Sequence, residues 1–222
     1  MTRGYFVTGT DTEVGKTLVS CALLHRLRAR YSAVVGMKPV AAGVSDAADD
    51  DIDLLRAAST RRVPAELDNP YALREPVSPH IAAYRAGATI DIHLIAARYH
   101  ALAAQADAVI VEGAGGFCVP LSDTHTGADL AQALALPIVL VVGLRLGCLN
   151  HALLTHEAIR ARGLTLAGWV ANRIDPAMQE QDANIATLRA RLAAPLLADI
   201  PRLLSPAPEH ITLRLPDERV AA

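Results

Sequence analysis

The residues best equipped for chemistry stand between Gly9 and Thr17, where Gly9, Gly15, Lys16 and Thr17 follow the phosphate-loop pattern. Glycines at 9 and 15 free the backbone to close its amide N–H groups on phosphate oxygens. Lys16 is placed to reach the β and γ phosphates of a nucleotide, and the Thr17 hydroxyl to take one position on Mg²⁺. A second lysine, Lys38, follows the short β-branched run 33–37 and precedes Pro39. Proline ends that run, so Lys38 falls at the carboxyl end of a strand, where open α/β sheets receive ligands. These two are the only lysines among 21 Lys and Arg. A chain that covers its surface with arginine and keeps lysine for two places uses a compact ammonium there for more than surface charge. The third candidate, Glu112, ends the apolar run 108–111 and precedes Gly113-Ala114-Gly115-Gly116. An acid at a strand end beside a phosphate loop organises Mg²⁺ and its waters. Within 41–53, Asp46, Asp49, Asp50, Asp51 and Asp53 cluster, either as a solvated loop and helix start or with one of them holding Mg²⁺; the pattern alone does not choose among them.

The elements that must position these groups alternate along the chain. Tyr5-Phe6-Val7 reads as a buried strand, and 18–30 as a helix that offers its positive N-terminal end to the same anion. The acidic stretch 41–53 reads as a solvated loop running into a helix start, and 64–79, with four prolines, as a long connection. Ser78 and Pro79 form the cap and first position of a short helix to Arg85, and Asp91 caps a helix to Gln105. His93 and His100 lie seven apart on it, too far for a paired metal site. Further strands are expected at 137–142, 164–170 and 196–200, with helices at 128–135, after Leu146-Gly147-Cys148-Leu149-Asn150 as far as Arg162, and at 178–192; the tail is irregular. The junction Gly147-Cys148-Leu149-Asn150 is a second strand-glycine-helix turn, either an ordinary helix cap or a second anion site. Strand and helix patterns in alternation predict a single α/β domain over 1–222, a mainly parallel, doubly wound sheet flanked by helices.

Composition sets the outer bounds. At 222 residues the chain is long enough for one substantial core, and 52% hydrophobic content with only 4% aromatics makes that core aliphatic. A net charge of -2 gives no electrostatic footprint for nucleic acid, and no basic run suggests a membrane surface. Cys21, Cys118 and Cys148 are widely spaced, which predicts buried thiols in a reducing compartment. With the first strand beginning by Tyr5 and no apolar stretch long enough to span a bilayer, the expectation is a cytoplasmic protein.

Several segments together resemble the dethiobiotin synthetases: YFVTGTDTEVGKT, Met37-Lys38-Pro39-Val40, Asn69-Pro70-Tyr71, Ser78-Pro79-His80-Ile81, Val111-Glu112-Gly113-Ala114-Gly115-Gly116, Leu146-Gly147-Cys148-Leu149-Asn150-His151 and Ala167-Gly168-Trp169-Val170-Ala171-Asn172. They run in the right order over nearly the whole chain. The resemblance implies a phosphate-loop fold and an ATP-dependent ligase that closes a cyclic urea from 7,8-diaminononanoate and CO₂, releasing ADP and phosphate. A carbamate and its phosphorylated form are the implied intermediates. It also implies Mg²⁺, with Thr17, Glu112 and Asp51 as ligands and Asp53 as the fallback, and Lys38 and Lys16 as catalytic groups. Nucleotide contacts carry over to Thr12, Glu13, Val14, Gly15, Lys16, Thr17, Leu18, Asp51, Glu112, Gly113, Ala114 and Gly115. Asn172, Arg173, Pro201, Arg202 and Leu203 follow for the base, with Glu209 the weakest match. Substrate contacts carry over to Thr12, Lys38 and Ala42, and to Gly147, Cys148, Leu149 and Asn150, which would receive the substrate carboxylate across a homodimer interface. At Ala42 the chain departs from the pattern, since some members have a serine there. Two rival activities share the loop. A nucleotide switch would use a second lysine after the first glycine, where this chain has Thr10; a small-molecule kinase would release no phosphate.

Overall fold

A computed structural model describes residues 3–44, 50–203, 205 and 207–217. The central sheet has six parallel strands in the order β2-β5-β1-β6-β7-β8: β1 (Arg3–Gly9), β2 (Val34–Met37), β5 (Ala108–Gly116), β6 (Ile138–Gly143), β7 (Leu166–Asn172) and β8 (Leu196–Ile200). Every residue of β6 is buried, as expected of a parallel strand covered on both faces. Successive side chains divide between two cores. Phe6, Leu140 and Trp169 face one side of the sheet with α5 (Ile92–Ala103), α6 (Gly127–Leu134) and α7 (Cys148–Ala161). Tyr5, Val7 and Val139 face the other, against α1 (Lys16–Arg28) and α2 (Asp51–Ala58). The remaining helices are α3 (Ala65–Asp68), α4 (Pro79–Arg85) and α8 (Gln181–Arg191), with a 3-10 turn at Pro208–His210.

Register decides what meets at the carboxyl edge. Met37 pairs with Val111 on one side of β5, and Phe6 pairs with Val111 and Val7 with Glu112 on the other. Because β5 lies between β1 and β2, Glu112 emerges between the loop that follows β1 and the lysine that follows β2. Strand order reverses direction around β1, the position at which open α/β sheets leave a crevice for ligands.

The fold differs from the sequence expectation in three places. The connection 64–79 is not structureless: it holds α3 and β4 (Tyr71–Leu73), and β4 pairs in parallel with β3 (Val40–Ala42) as a separate two-stranded sheet. Three-residue strands bordered by proline carry no alternation to detect, and their pairing is non-local. Ser78 stands at the N-cap of α4 but its hydroxyl makes no capping bond. Cys118 is exposed, whereas Cys21 and Cys148 are buried as expected, with burial pushing the Cys21 thiol up to about 12, helped by Glu112 and Asp51. Asp91 does cap α5, accepting from the His93 amide at 2.8 Å. Asp46 and Asp49 lie outside the described residues. Among the described residues no helix is long and apolar enough to cross a membrane.

Candidate active site

Five residues, Thr10 to Val14, separate Gly9 from Gly15, one more than the four of the ordinary phosphate-loop pattern. The match is therefore to a lengthened loop. Its turns are made by Glu13 at φ 58° and Gly15 at φ 93°, both in the left-handed region. A Cβ on Gly15 would stand 2.2 Å from the Asn172 side-chain nitrogen, so this position admits no side chain. Gly15 is also the N-cap of α1, without a side-chain cap, which leaves the first-turn amides facing the loop's concavity.

Five polar side chains, those of Lys16, Thr17, Lys38, Asp51 and Glu112, converge on that concavity. Thr17 Oγ1 lies 2.7 Å from Asp51 Oδ1 and 2.9 Å from Glu112 Oε1. Lys38 Nζ donates to Asp51 Oδ2 and to Glu112 Oε1, each at 2.6 Å. Lys16 Nζ donates to the Asp11 carbonyl at 3.0 Å. Glu112 is fully buried, Lys38 and Lys16 nearly so, and Asp51 is half-exposed.

The two lysines share this volume but are treated oppositely. Burial works against the charged form of Lys38, yet Glu112 and Asp51 outweigh it and hold its pKa above the ordinary lysine value. Burial and then the neighbouring Lys38 push Lys16 below that value. Asp51 is held below the usual carboxylate range: its own burial opposes this, and the charge and hydrogen bond of Lys38 prevail.

Thr12, Lys16, Thr17, Lys38, Ala42 and Asp51 line one cavity of about 660 Å³, together with Glu13, Gly15, Ala114 and Gly115. That volume suits a small molecule and the phosphates of a nucleotide. A neighbouring cavity of about 290 Å³ is lined by Leu18, Asn172, Arg173, Pro201, Arg202 and Leu203, and shares Glu13 and Gly15 with the first. Val14 is buried behind the loop, and its carbonyl accepts from Asn172 Nδ2 at 2.9 Å, so Asn172 braces the loop as well as lining the second cavity. Gly113 packs against Phe6 rather than opening to the large cavity. Glu209 lies exposed in the 3-10 turn and lines neither. Gly147, Cys148, Leu149 and Asn150 start α7 beyond both cavities, with Gly147 at φ 94°.

The donor set fits Mg²⁺. Thr17, Asp51 and Glu112 all offer hard oxygens, and Glu112 Oε2 is buried without a hydrogen-bond partner among the described residues. No group of three or more His, Cys, Asp and Glu that could hold a metal is found among the described residues. Mg²⁺ in phosphate-transfer sites is commonly held by one or two carboxylates together with its substrate's phosphates.

Some participants escape the sequence reading. Ser78 lines the large cavity beside Ala42, although only a capping role was visible in the sequence. Arg145 forms an ion pair with Asp11 inside the loop. A lone arginine directly after the most apolar strand was the available signal. Asp68 and Asn69 hold the main chain of Lys38, and no local pattern announces that.

Known proteins resemble this chain in fold and in sequence. A family described as an AAA domain matches residues 3–209. Among solved structures, a ParA family ATPase from Chlorobium tepidum TLS superposes with a TM-score of 0.57 at 16% identity, over 92% of this chain and 86% of that one. The cell division protein FtsY of Thermotoga maritima gives 0.54 at 15%, over 97% of this chain and 66% of that one. At such identities the likeness is one of fold. Two relatives are much nearer. The ATP-dependent dethiobiotin synthetase BioD of Aromatoleum aromaticum is 54% identical over 220 residues, 96% of this chain and 98% of its own length. That of Nitrosospira multiformis is 57% identical over 201 residues, 90% and 89% of the two chains. With more than half its residues identical to theirs over nine-tenths of its length, the chain belongs to the ATP-dependent dethiobiotin synthetase family.

Proposed function

We propose that this protein is the ATP-dependent ligase that makes dethiobiotin, closing a cyclic urea on 7,8-diaminononanoate with CO₂ and releasing ADP and phosphate. The observation that carries the reading is the convergence of Lys16 and Lys38 on one cavity, with Thr17, Asp51 and Glu112 between them. A nucleotide's phosphates and a carbamate are both anions, and both must be brought to the same few ångströms. In the proposed sequence one amine of the diamine attacks CO₂, forming the C–N bond of a carbamate and losing a proton. A carbamate oxygen then attacks the γ phosphorus and ADP leaves. The second amine attacks the carbonyl carbon, expelling phosphate, losing its proton and closing the ring.

The residues contribute charge and position. The loop amides and Lys16 hold the β and γ phosphates, so that Lys16 exchanges the Asp11 carbonyl for phosphate oxygen. Lys38, kept charged by two carboxylates, faces the anionic carbamate oxygens and the transferring phosphoryl group. A fixed charge of this kind needs no reorganisation during the reaction. Thr17, Asp51 and Glu112 would hold Mg²⁺, which when bound neutralises phosphate charge. Asn172, Arg173 and residues 201–203 receive the base in the second cavity.

The substrate carboxylate is assigned to the amides of Gly147 to Asn150 of a second copy of the chain. That assignment is supported by Leu146, 94% exposed beside this turn, and Leu154, 56% exposed on α7. The deciding experiment measures phosphate release with each component omitted in turn, together with product mass. Release is expected only when diamine, bicarbonate, ATP and Mg²⁺ are all present, with a product heavier than the diamine by one CO₂ less one water. Equal ATP turnover without diamine would instead indicate a nucleotide switch, and a phosphorylated product a kinase.

A further inference from the structure

Asp68 is 1% exposed and lines neither cavity. Its carboxylate accepts a forked pair of hydrogen bonds from Arg56, Nε at 2.8 Å and Nη2 at 2.7 Å. Its main-chain carbonyl accepts from the Lys38 amide at 2.8 Å, and the next side chain, Asn69, donates from Nδ2 to the Lys38 carbonyl at 2.6 Å. Both main-chain polar groups of Lys38 are thus held by residues 68 and 69. The side chain of residue 68 meanwhile grips α2, the helix whose first residue is Asp51.

The far end of α2 has its own attachment. Ser59 Oγ accepts from the Gly36 amide at 2.9 Å, and Thr60 Oγ1 from the Val34 amide at 2.8 Å, pinning that end to β2. Ile52, Leu55 and Ala58 bury one face of α2, and apolar packing of that kind is non-directional, so it leaves the exact placement of Asp51 to the polar attachments. A second attachment, made by Arg56 in the last turn of the helix and directed to Asp68, fixes its rotation about that end. Asp68 is buried and Arg56 partly so, and an ion pair in such a place adds little stability over an apolar pair of the same volume, so stability alone is a poor account of its presence.

We propose that the Arg56–Asp68 pair is a positioning device that sets the spacing of Lys38 from Asp51, and so the geometry in which the nucleotide phosphates and the carbamate meet. The proposal rests on the ligase reading above. Its test is the double variant Arg56→Met/Asp68→Asn, which removes both charges and strands neither. We expect kcat for diamine-dependent phosphate release to fall about 10²-fold, as small misplacements of reacting groups do. The Mg²⁺ concentration for half-activation should rise, with KM for ATP at saturating Mg²⁺ little changed. In an Asp51→Asn background the same double change should add little, because the effect passes through Asp51.

A lowered Tm with kcat and Mg²⁺ response unchanged, or effects that add fully in the Asp51→Asn background, would overturn the proposal. Arg56→Lys keeps the charge without the fork and should fall between wild type and the double variant. If the double variant does not fold, wild-type kinetics in Arg56→Lys are enough to reject the idea. Absence of diamine-dependent phosphate release from the wild-type protein would sink the ligase reading instead. The Lys38–Asp51 distance in crystals of wild type and Arg56→Lys would then decide the positioning role, an unaltered distance rejecting it.

Discussion

Lys16 and Lys38 are the same side chain in the same cavity, and the fold gives them opposite electrostatic settings. Lys38 has two carboxylates 2.6 Å away; Lys16 has a carbonyl and a neighbouring ammonium. For Lys38 the folded pKa is raised, so its stabilisation is complete below the ordinary lysine pKa and lost only as pH rises through the raised one. Lys38→Ala removes it and leaves Glu112 buried without its cation, a change that costs about 3–5 kcal/mol in comparable pairs. Thermal denaturation at neutral pH should show that loss. Below the lowered melting temperature, turnover should fall by about 10²–10³-fold, the range for removal of one preorganised charge or donor. Nucleotide titration should show affinity within a few-fold of wild type, since the loop is intact. For Lys16 the folded pKa is lowered, so the ammonium opposes folding at neutral pH and the opposition fades as pH rises through the lowered value. Lys16→Met should therefore melt no lower than wild type without nucleotide at pH 7, the difference shrinking at alkaline pH, while phosphate release is abolished. A clear drop in melting temperature would show that its bond to the Asp11 carbonyl outweighs its burial.

Among elements, α2 shows how a helix start selects one acid from a run of them. Asp51 opens the helix and points back to Thr17 and Lys38, whereas Asp53, two residues on, is turned about 200° around the axis. It faces solvent beside Arg56, at 3.8 Å. Replacing each separately by Asn distinguishes them through the Mg²⁺ dependence of phosphate release. Asp51→Asn should raise the Mg²⁺ requirement at least tenfold, and Asp53→Asn should leave it within twofold, as surface changes usually do. The reverse ranking would place the metal on the other acid. The loop and α1 form a second such unit. Gly15 and Glu13 take left-handed conformations, Asn172 of β7 braces the Val14 carbonyl, and the helix amides stay open to an anion. A strand two places away in the sheet thereby stiffens the loop that follows β1.

At the scale of the whole molecule, the order β2-β5-β1 puts Glu112 between the two lysines, and the reversal around β1 opens the crevice above them. The exposed Leu146 at the start of α7 bears on assembly. If the substrate carboxylate is held by a second copy, Leu146→Glu should shift the protein to monomer in sedimentation and raise KM for the diamine at least tenfold, with ATP affinity unchanged. An unaltered dimer, or a monomer with wild-type kinetics, would remove that interface from the site. Much of this architecture was legible beforehand. The strand-loop-helix from Tyr5 into α1, Lys38 at a strand end, Glu112 after an apolar run and the strand at 196–200 all follow from local periodicity, proline and glycine placement, and the scarcity of lysine. What the amino-acid order could not decide is which distant groups touch. The choice of Asp51, the hold of Asp68 and Asn69 on Lys38, the pairing of β3 with β4 and the brace from Asn172 to Val14 join residues 13 to 158 positions apart. Local preference reaches only a few residues along the chain, so contacts of that span are settled when register and helix docking are settled together. That is a property of the packed sheet and not of any one segment.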